Sequence, residues 1–353
     1  MTPGDRLVVL CRPGFEGDCA AELTQRAAEV GTWGHARTRD SEGLLEFFPG
    51  GHHPLPLLAG PLGEAPVFPR QWCAAGPLLE DLPEGDRLGP LLADVDVPVA
   101  DLVVETPEGD AYRPLARLAR RLVGPARGVL QARGDWCPDD PDAVRLHLVL
   151  AAGDAAWVGR SPLGRSSPEP GGIVRLKQHP EAPSRSALKL EEALQVFLSP
   201  ADRHLLFDGR RTAVDLGAAP GGWTWVLRRR GVQVLAVDNG ALAPVLAKDP
   251  EVEHVRADAF TFEPTTPVDW LICDVVDKPA RVVELMARWL RRGRARRALF
   301  NLKLPMRRRW QAVEDARVRF ERVLGEAAPD FSLRIHQLYH DREEVTCYAA
   351  PRS

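Results

Sequence analysis

The sequence predicts an α/β protein in which a C-terminal, doubly wound and mostly parallel sheet follows smaller α+β units. Apolar strands and amphipathic helices alternate through residues 173–353. The strands there are continuous apolar runs, as expected for strands buried on both faces of a sheet. The chain has 353 residues, which at about 150 residues per domain is enough for two to three domains.

The N-terminal half begins with an apolar strand at 7–10, followed by a helix from 16 to 30. Another strand is predicted at 43–48, and the Pro-, Gly- and His-rich run at 49–54 indicates a loop. A strand, helix, strand succession then predicts a second small α+β unit. Its strand, helix and strand lie near 102–105, 114–122 and 144–150.

A run rich in Pro, Gly and Ser leads into the last domain, and we assign the linker to 161–172. Helices of the last domain are predicted to begin near Gly222, Pro279 and Arg307. No helix separates its last two strands, which indicates an antiparallel pair. The predicted strands are 213–216, 232–237, 268–273, 298–302, 333–339 and 345–350.

Composition narrows the class of protein. The chain is 44% hydrophobic and 27% charged, as in ordinary soluble proteins. It shows no signal peptide, and no apolar run reaches the ~18 residues of a spanning helix, so we expect a cytoplasmic protein without a membrane partner. Six cysteines without a Cys-x-x-Cys pair favour free thiols. His336 and His340 lack a third ligand, so no metal is expected.

The charge is distributed unevenly. Residues 1–150 carry 14 basic and 23 acidic side chains, whereas residues 151–353 carry 32 basic and 26 acidic ones. Arginine runs at 228–230, 291–297 and 307–309 are equally compatible with solvated helix ends and with contacts to a nucleic acid. The C-terminal part is therefore the better candidate to meet a polyanion.

Lysine is rare in this chain. Only five of the 46 basic residues are lysine, which indicates that arginine has replaced lysine wherever a plain positive charge suffices. A retained lysine suggests a need for a compact ammonium group that can lose its proton. The five are Lys177, Lys189, Lys248, Lys278 and Lys303.

A glycine-rich turn is the central motif. A strand ends near Asp215, glycines follow at 217, 221 and 222, and a helix begins at Gly222. Such a turn allows a ligand to approach the backbone at the carboxyl edge of a sheet, although a purely structural turn would also explain the glycines. The spacing matches neither the GxGxxG dinucleotide motif nor a P-loop.

Three further acids stand at or just past the ends of predicted strands. Asp238 is placed to accept hydrogen bonds from ribose hydroxyls, Asp258 to bind an adenine amino group, and Asp274 follows the next strand. A single acid at such a position is more often a helix cap. Three acids on successive strands favour a nucleoside site.

The segments carrying these residues resemble the FtsJ-like ribose 2′-O-methyltransferases. The similar segments are 184–192, 215–224, 273–274, 301–305 and 342–345. The resemblance implies a Rossmann-like domain, S-adenosylmethionine as cofactor and a K-D-K-E tetrad at Lys189, Asp274, Lys303 and Glu344, with Glu343 an adjacent alternative. The cofactor-binding residues it implies are Ser186, Gly217, Ala219, Pro220, Gly221, Gly222, Trp223, Asp238, Asp258 and Asp274.

Further segments resemble a bacterial family that methylates a cytidine ribose of 23S ribosomal RNA; they are 10–23, 68–72, 237–240, 277–282, 300–306 and 337–346. This resemblance implies 23S ribosomal RNA as partner. It also implies a ferredoxin-like portion at 1–52, a THUMP-like RNA-binding domain at 53–160 and a Rossmann-like methyltransferase domain at 173–353. We expect a monomer.

The tetrad is compatible with methyl transfer to a ribose hydroxyl, which needs an aligned nucleophile and a base. Lys303 can act as that base if the like charge of Lys189 favours its neutral form. We expect Asp274 to orient Lys303, and Glu344 to hold Lys189 or the ribose. The alternatives are a methyltransferase of another RNA and a catalytically silent RNA-binding protein that retains the cofactor fold.

Overall fold

The computed structural model describes residues 4–51, 53–60, 65–207 and 210–352. The chain divides into two compact units, Met1–Ile173 and Val174–Ser353. The division lies next to the boundary expected between 172 and 173. The boundary expected after residue 52 falls at His52, which is outside the described residues.

The N-terminal unit is built on a seven-stranded sheet with the strand order β2-β3-β1-β4-β7-β6-β5. Strands from both sides of the boundary expected at 52/53 therefore share one sheet. The elements are β1 (Arg6–Leu10), α1 (Glu16–Glu29), β2 (Gly34–Arg39), β3 (Leu44–Pro49), α2 (Pro54–Ala59), β4 (Gln71–Ala75), α3 (Leu88–Leu92), β5 (Val99–Glu105), α4 (Ala116–Arg133), β6 (Val144–Leu150) and β7 (Ala156–Pro162).

Three strands of this sheet were not predicted from the sequence: β2, β4 and β7. β2 lies at an edge of the sheet and its sequence, Gly-His-Ala-Arg-Thr-Arg, is mostly exposed. A strand of this kind carries no apolar signal, because only its backbone pairs with the sheet. The strand predicted at 144–150 is confirmed.

The segment 161–172, predicted to be a linker, packs against the N-terminal sheet instead. The backbone N–H of Gly171 donates to Glu105 Oε2 at 2.6 Å, and Gln71 Nε2 donates to the Ser167 carbonyl at 3.0 Å. It forms short helical turns at Leu163–Arg165 and Pro170–Gly172, and buried side chains of the sheet bond part of its backbone. Composition alone does not distinguish such an ordered segment from a flexible one.

The C-terminal unit carries a second seven-stranded sheet, with the order β10-β9-β8-β11-β12-β14-β13. Among its described strands β14 alone runs opposite to the others, pairing antiparallel with both β12 and β13, so the predicted antiparallel pair at the end of the chain is confirmed. The elements are α5 (Ala187–Phe197), α6 (Pro200–Phe207), β8 (Thr212–Leu216), α7 (Gly222–Arg228), β9 (Gln233–Val237), α8 (Pro244–Ala247), β10 (Val252–Val255), β11 (Val268–Cys273), α9 (Pro279–Arg291), β12 (Ala295–Lys303), α10 (Arg309–Leu324), β13 (Phe331–His336) and β14 (Glu344–Pro351).

The sheet topology creates a crevice at the carboxyl ends of β8 and β11. From β8 the chain moves outward through β9 and β10, and it then returns to the other side of β8 to form β11 and β12. Ligands of open α/β sheets bind where the strand order reverses in this way. The glycine turn after β8 and Asp274 after β11 both lie at this edge.

Candidate active site

Strand register brings the four predicted tetrad residues to one edge of the C-terminal sheet. Lys303 ends β12 and Glu344 begins β14, and the two residues are direct partners in the antiparallel ladder. Asp274 follows the last residue of β11, which pairs with β12. Lys189 lies in the first turn of α5, on a helix whose apolar side packs into the core.

Glu344 lies at the centre of this cluster. Its Oε1 is 2.5 Å from Lys189 Nζ, and its Oε2 accepts a hydrogen bond from Lys303 Nζ. Lys189 Nζ also lies 3.4 Å from Asp274 Oδ2, and Asn301 Nδ2 donates to the other Asp274 oxygen at 3.0 Å. The Lys303 side chain is 33% exposed and that of Glu344 only 3%, so Lys303 is the member that faces solvent.

Burial and the two ammonium groups act in opposite directions on the carboxylates. Burial raises the pKa of Asp274, and Lys189 offsets only part of this effect. Burial also acts to raise the pKa of Glu344, but the ammonium groups of Lys189 and Lys303 outweigh it and hold that pKa below its usual range. Glu344 therefore remains ionised between the two lysines.

Lys189 is held in its charged form. Burial acts to lower its pKa, but the carboxylates of Asp274 and Glu344 outweigh burial and raise it above the usual range. The two lysines are therefore not equivalent: among the described residues, Lys189 is bonded to two carboxylates, whereas Lys303 is bonded only to Glu344, which also bonds Lys189.

This pairing differs from the one expected. We expected Asp274 to orient Lys303, but Asp274 is bonded to Lys189 and Asn301, and it is Glu344 that orients Lys303. The reason is the register, because the ladder sets Lys303 directly opposite Glu344. Glu343 is bonded to a different residue: its side chain is 58% exposed and pairs with Arg309 at 2.8 Å.

A second layer supports the tetrad and was missed by the sequence analysis. Thr346 Oγ1 donates to Asn301 Oδ1 at 2.8 Å and lies 3.0 Å from Asp341 Oδ2. Burial raises the pKa of Asp341 well above its usual value, and Glu344 adds to the increase. The sequence did contain a signal for the role of Asn301. Side chains alternate along a strand, so Asn301 and Lys303, two residues apart, face the same side of β12.

The glycine turn is tightly packed against neighbouring side chains. Gly217 has φ +76°, and a Cβ on it would lie 2.5 Å from Val275 Cγ1. Gly221 has φ +112°, and a Cβ there would lie 2.1 Å from Leu246 Cδ1. A side chain at either position would collide with a neighbouring residue, and the positive φ also favours glycine there.

The start of α7 is equally crowded. A Cβ on Gly222 would lie 2.3 Å from the hydroxyl oxygens of both Ser184 and Ser186. The indole of Trp223 is buried in the core, and its N–H donates to the Ser186 carbonyl at 3.0 Å. Trp223 was assigned to the cofactor site. Because its ring is buried and hydrogen-bonded within the protein, only its backbone remains to contact a cofactor.

Asp238 is fixed beside the turn. Its two carboxylate oxygens accept backbone hydrogen bonds, one from Ala219 at 2.9 Å and one from Gly240 at 2.7 Å. Each oxygen retains a further lone pair that can accept a ribose hydroxyl. Asp258 is exposed, and its Oδ1 accepts from the Phe260 N–H at 2.9 Å, so one of its oxygens stabilises its own loop.

Asp215 is a buried carboxyl group beneath the turn. Burial raises its pKa to about 7, with Thr224, whose hydroxyl donates to it at 2.6 Å, opposing the shift and Asp274 adding to it. Asp215 belongs to the motif that the sequence shows, but the sequence alone indicates no role for it.

A cavity of about 510 Å³ opens beside the lysines. No residue of the turn 217–222 lines it. Besides tetrad members its lining is Arg185, Ser186, Leu188, His340, Arg342 and Glu343. His340 is held by Glu192, which accepts from its Nδ1 at 2.6 Å. The described residues contain no cluster of three or more side chains able to hold a metal ion.

Every helix in the described part of the chain is too short or too polar to cross a bilayer.

Comparison with known proteins gives matches over nearly the whole chain. A family model for the RlmM ferredoxin-like domain matches residues 5–73, and one for the FtsJ-like methyltransferases matches 182–286. A protein of Azoarcus sp. named Ribosomal RNA large subunit methyltransferase M is 42% identical, over 97% of this chain and 95% of its own length. The protein of the same name from Cellvibrio japonicus is 43% identical over 98% and 99%.

Proposed function

The chain belongs to the ribosomal RNA large subunit methyltransferase M family, S-adenosylmethionine-dependent enzymes, and on that premise we propose that it methylates the ribose 2′-hydroxyl of a cytidine in 23S ribosomal RNA. The observation that carries the proposal is the pair of lysines bridged by Glu344 at the sheet edge that also holds the glycine turn. In a chain that has almost replaced lysine by arginine, two lysines at one site indicate that their chemistry is required.

The residues around the turn fit S-adenosylmethionine. The turn is a compact stretch of backbone whose two glycines leave no space for side chains. Asp238 beside it offers carboxylate lone pairs that can accept ribose hydroxyls. Asp258 is placed further along the same edge, on the loop after β10. When bound, the cofactor supplies an electrophilic methyl group on a sulfonium ion.

We assign the proton transfer to Lys303. Removal of a proton from Lys303 leaves Glu344 paired with Lys189, whereas removal of one from Lys189 would deprive Asp274 of its ammonium partner. Lys303 also faces the cavity and is the more exposed of the two lysines. In its neutral form its Nζ accepts the proton of the 2′-hydroxyl.

Lys189, Glu344 and Asp274 position the base. Glu344 holds Lys303 against one side of the cavity, and Lys189 keeps a fixed positive charge beside it, which stabilises the negative charge that develops on the ribose oxygen. Asn301 and Thr346 anchor this arrangement from below. The tetrad therefore works as one network in which only Lys303 changes its protonation state.

The cavity provides the substrate side. Arg185 and Arg342 line it, and guanidinium groups are suited to the phosphates on either side of a target nucleotide. Its volume of about 510 Å³ is in the range of pockets that hold small organic molecules, and a single nucleotide is of that size.

The proposal is tested by mass spectrometry of 23S ribosomal RNA from cells with and without the gene. One cytidine 2′-O-methyl group should disappear when the gene is removed and return when the purified protein and S-adenosylmethionine are added to that RNA. Retention of every 2′-O-methyl group in the deletion strain would contradict the proposed substrate.

A further inference from the structure

His340 contributes an aromatic ring to the lining of the active-site cavity. It lies on the loop between β13 and β14, and its side chain is 14% exposed. Neither the proton transfer assigned to Lys303 nor the positioning of that lysine requires this ring. Its place in the cavity therefore indicates a contact with the substrate.

The Glu192 carboxylate fixes the ring and its tautomer. Oε1 accepts from the Tyr339 backbone N–H at 2.7 Å, and Oε2 accepts from the His340 backbone N–H at 2.9 Å. Oε2 also lies 2.6 Å from His340 Nδ1. Because an ionised carboxylate can only accept hydrogen bonds, Nδ1 carries the hydrogen. In the neutral imidazole, Nε2 then has a lone pair and is a hydrogen-bond acceptor.

The groups that hold His340 are joined to the tetrad. Glu192 is buried on α5, one turn along the helix from Lys189. Asp341, the next residue after His340, lies 3.0 Å from Thr346 Oγ1 in the layer behind the tetrad. The ring is therefore held in place relative to the lysines before a substrate binds, as selection between similar substrates requires.

Nε2 is the polar atom of the ring that remains for a ligand. Within the described part of the chain, no group is hydrogen-bonded to it, and the ring lines the cavity that also contains Lys303. A partly enclosed acceptor without a partner is costly unless a donor meets it when the cavity is filled. The substrate should therefore present an N–H or O–H group to His340.

The remaining lining of the cavity divides between the parts of a nucleotide. Arg185 and Arg342 suit the phosphates, and Lys303 is assigned to the ribose hydroxyl. A base is recognised by flat or apolar contacts together with a hydrogen bond at its edge. Leu188 and His340 supply these contacts, which places the base at their side of the cavity.

Two other acceptors line the cavity but are less suited to distinguish bases. Ser186 Oγ shares a hydrogen bond of 2.7 Å with Ser184 Oγ in which either atom can be the donor, and a hydroxyl rotates to suit a donor or an acceptor. Glu343 is exposed and bonded to Arg309, and an exposed polar group discriminates weakly because water replaces a lost partner. His340 Nε2 is the acceptor that is fixed in one form.

We propose that His340 Nε2 accepts a hydrogen bond from the exocyclic amino group of the target cytosine and thereby distinguishes cytidine from uridine. The inference rests on the proposed function for the identity of the RNA. Cytosine presents an amino donor where uracil presents a carbonyl acceptor. With uracil, the fixed acceptor and the carbonyl oxygen would both lack a partner. Glu192 is the positioning residue that keeps Nε2 in its acceptor form.

The test compares two transcripts of 23S ribosomal RNA, one with the target cytidine identified by mass spectrometry and one with uridine at that position. Single-turnover methylation by the full-length protein is measured on both with saturating cofactor. The wild type should methylate the cytidine transcript about 10- to 100-fold faster, the range for one buried polar group left unpaired. Equal rates on the two transcripts would overturn the proposal without any variant.

Two variants assign this selectivity to His340. His340→Asn removes Nε2 and keeps an amide N–H that can donate to Glu192, and His340→Phe keeps a flat ring without nitrogen. In both, the ratio of the cytidine rate to the uridine rate should fall close to one. The matched control is Glu343→Gln, which changes another acceptor of the same cavity and should keep the wild-type ratio.

The rate ratio separates recognition from a structural role. A ring that only stabilised the loop would slow both transcripts equally when replaced, so an unchanged ratio in a folded His340 variant would overturn the proposal. Melting temperature and cofactor affinity identify a variant that does not fold. The other variant and the wild-type ratio then decide.

Failure of this proposal is distinguishable from failure of the proposed function. Methyl transfer by the wild type to the cytidine transcript, with a ratio that the His340 variants leave unchanged, would overturn the role of His340 and leave the function standing. No methyl transfer by the wild type to the cytidine transcript would reject the proposed function, and with it the base that His340 is proposed to recognise.

Discussion

The tetrad and the outer face of α4 use positive charge in opposite ways. At the tetrad, two lysines are held by two carboxylates, and the Glu344 side chain between them is only 3% exposed. On α4, three arginines (Arg117, Arg120 and Arg121) project into solvent with no acidic partner in the described residues. Ion pairs inside the tetrad hold its side chains in the geometry that catalysis requires. Arginines without an acidic partner keep a net positive charge that can bind a polyanion.

The largest effect is expected from removing the bridging carboxylate. Glu344→Gln leaves two ammonium groups around a largely buried, neutral amide, which should lower the free energy of unfolding by about 3 to 5 kcal/mol and abolish methyl transfer. Denaturant unfolding and single-turnover methylation measure the two effects.

Glu343→Gln is the matched control for that prediction. Glu343 neighbours Glu344 in sequence but forms an exposed pair with Arg309, so its loss should cost at most about 1 kcal/mol. If both variants lose the same stability and activity, Glu344 does not have the central role that we assign to it.

The next effect concerns the pH dependence of stability. Burial raises the pKa of Asp215 from 3.8 to about 7, so the folded protein binds more protons than the unfolded chain between about pH 4 and 7. Stability contributed by this group is therefore present at about pH 4 and is lost as the pH rises toward 7, by a few kcal/mol.

Asp215→Asn isolates the contribution of Asp215. From about pH 4 to 7 the wild type should lose stability relative to the variant, and above about pH 7 the difference in unfolding free energy should stay constant. A difference that is the same at every pH would show that this carboxyl group does not titrate as its burial requires.

A smaller effect is expected at the cofactor turn. Asp238→Ala should weaken binding of S-adenosylmethionine by roughly 1.5 to 3 kcal/mol, the scale for losing hydrogen bonds to a charged group. Isothermal titration calorimetry measures this loss. An unchanged affinity in a folded variant would remove Asp238 from the cofactor site.

The smallest effect on stability is expected on α4. Because Arg120 has no acidic partner in the described residues, Arg120→Gln should change the free energy of unfolding by no more than about 0.5 kcal/mol. Chemical denaturation tests this directly. A loss of several kcal/mol would mean that the arginine stabilises the fold, and the contrast with the tetrad would fail.

The sequence predicts membership of the tetrad better than it predicts the contacts within it. Continuous apolar runs identified β11 and β12, and the motif segments identified Lys303 and Glu344. The contact between these two depends on the register of β12 against β14, which is set by long-range pairing. This is why Asp274 was expected, wrongly, to be the partner of Lys303.

The same limit applies to the N-terminal unit. The exposed edge strand β2 has almost no apolar residues, and the Pro- and Gly-rich segment 161–172 is held by buried polar side chains such as Glu105. Both features depend on partners distant in sequence. A hydrophobic pattern in the sequence predicts helices and strands that bury an apolar face of their own. It does not predict segments that are held by hydrogen bonds to residues distant in the sequence.

The central claim is that Lys303 accepts the proton of the ribose hydroxyl, and Lys303→Arg tests it most directly because arginine keeps the charge but cannot lose its proton. The measurement is single-turnover methylation of 23S ribosomal RNA from about pH 6 to about pH 9 with saturating cofactor. The account predicts that the wild-type rate rises with pH through an inflection, and that the variant is slower by on the order of 10² to 10⁴ and lacks that inflection. A variant that stays near the wild-type rate, or that retains the same inflection, would contradict it.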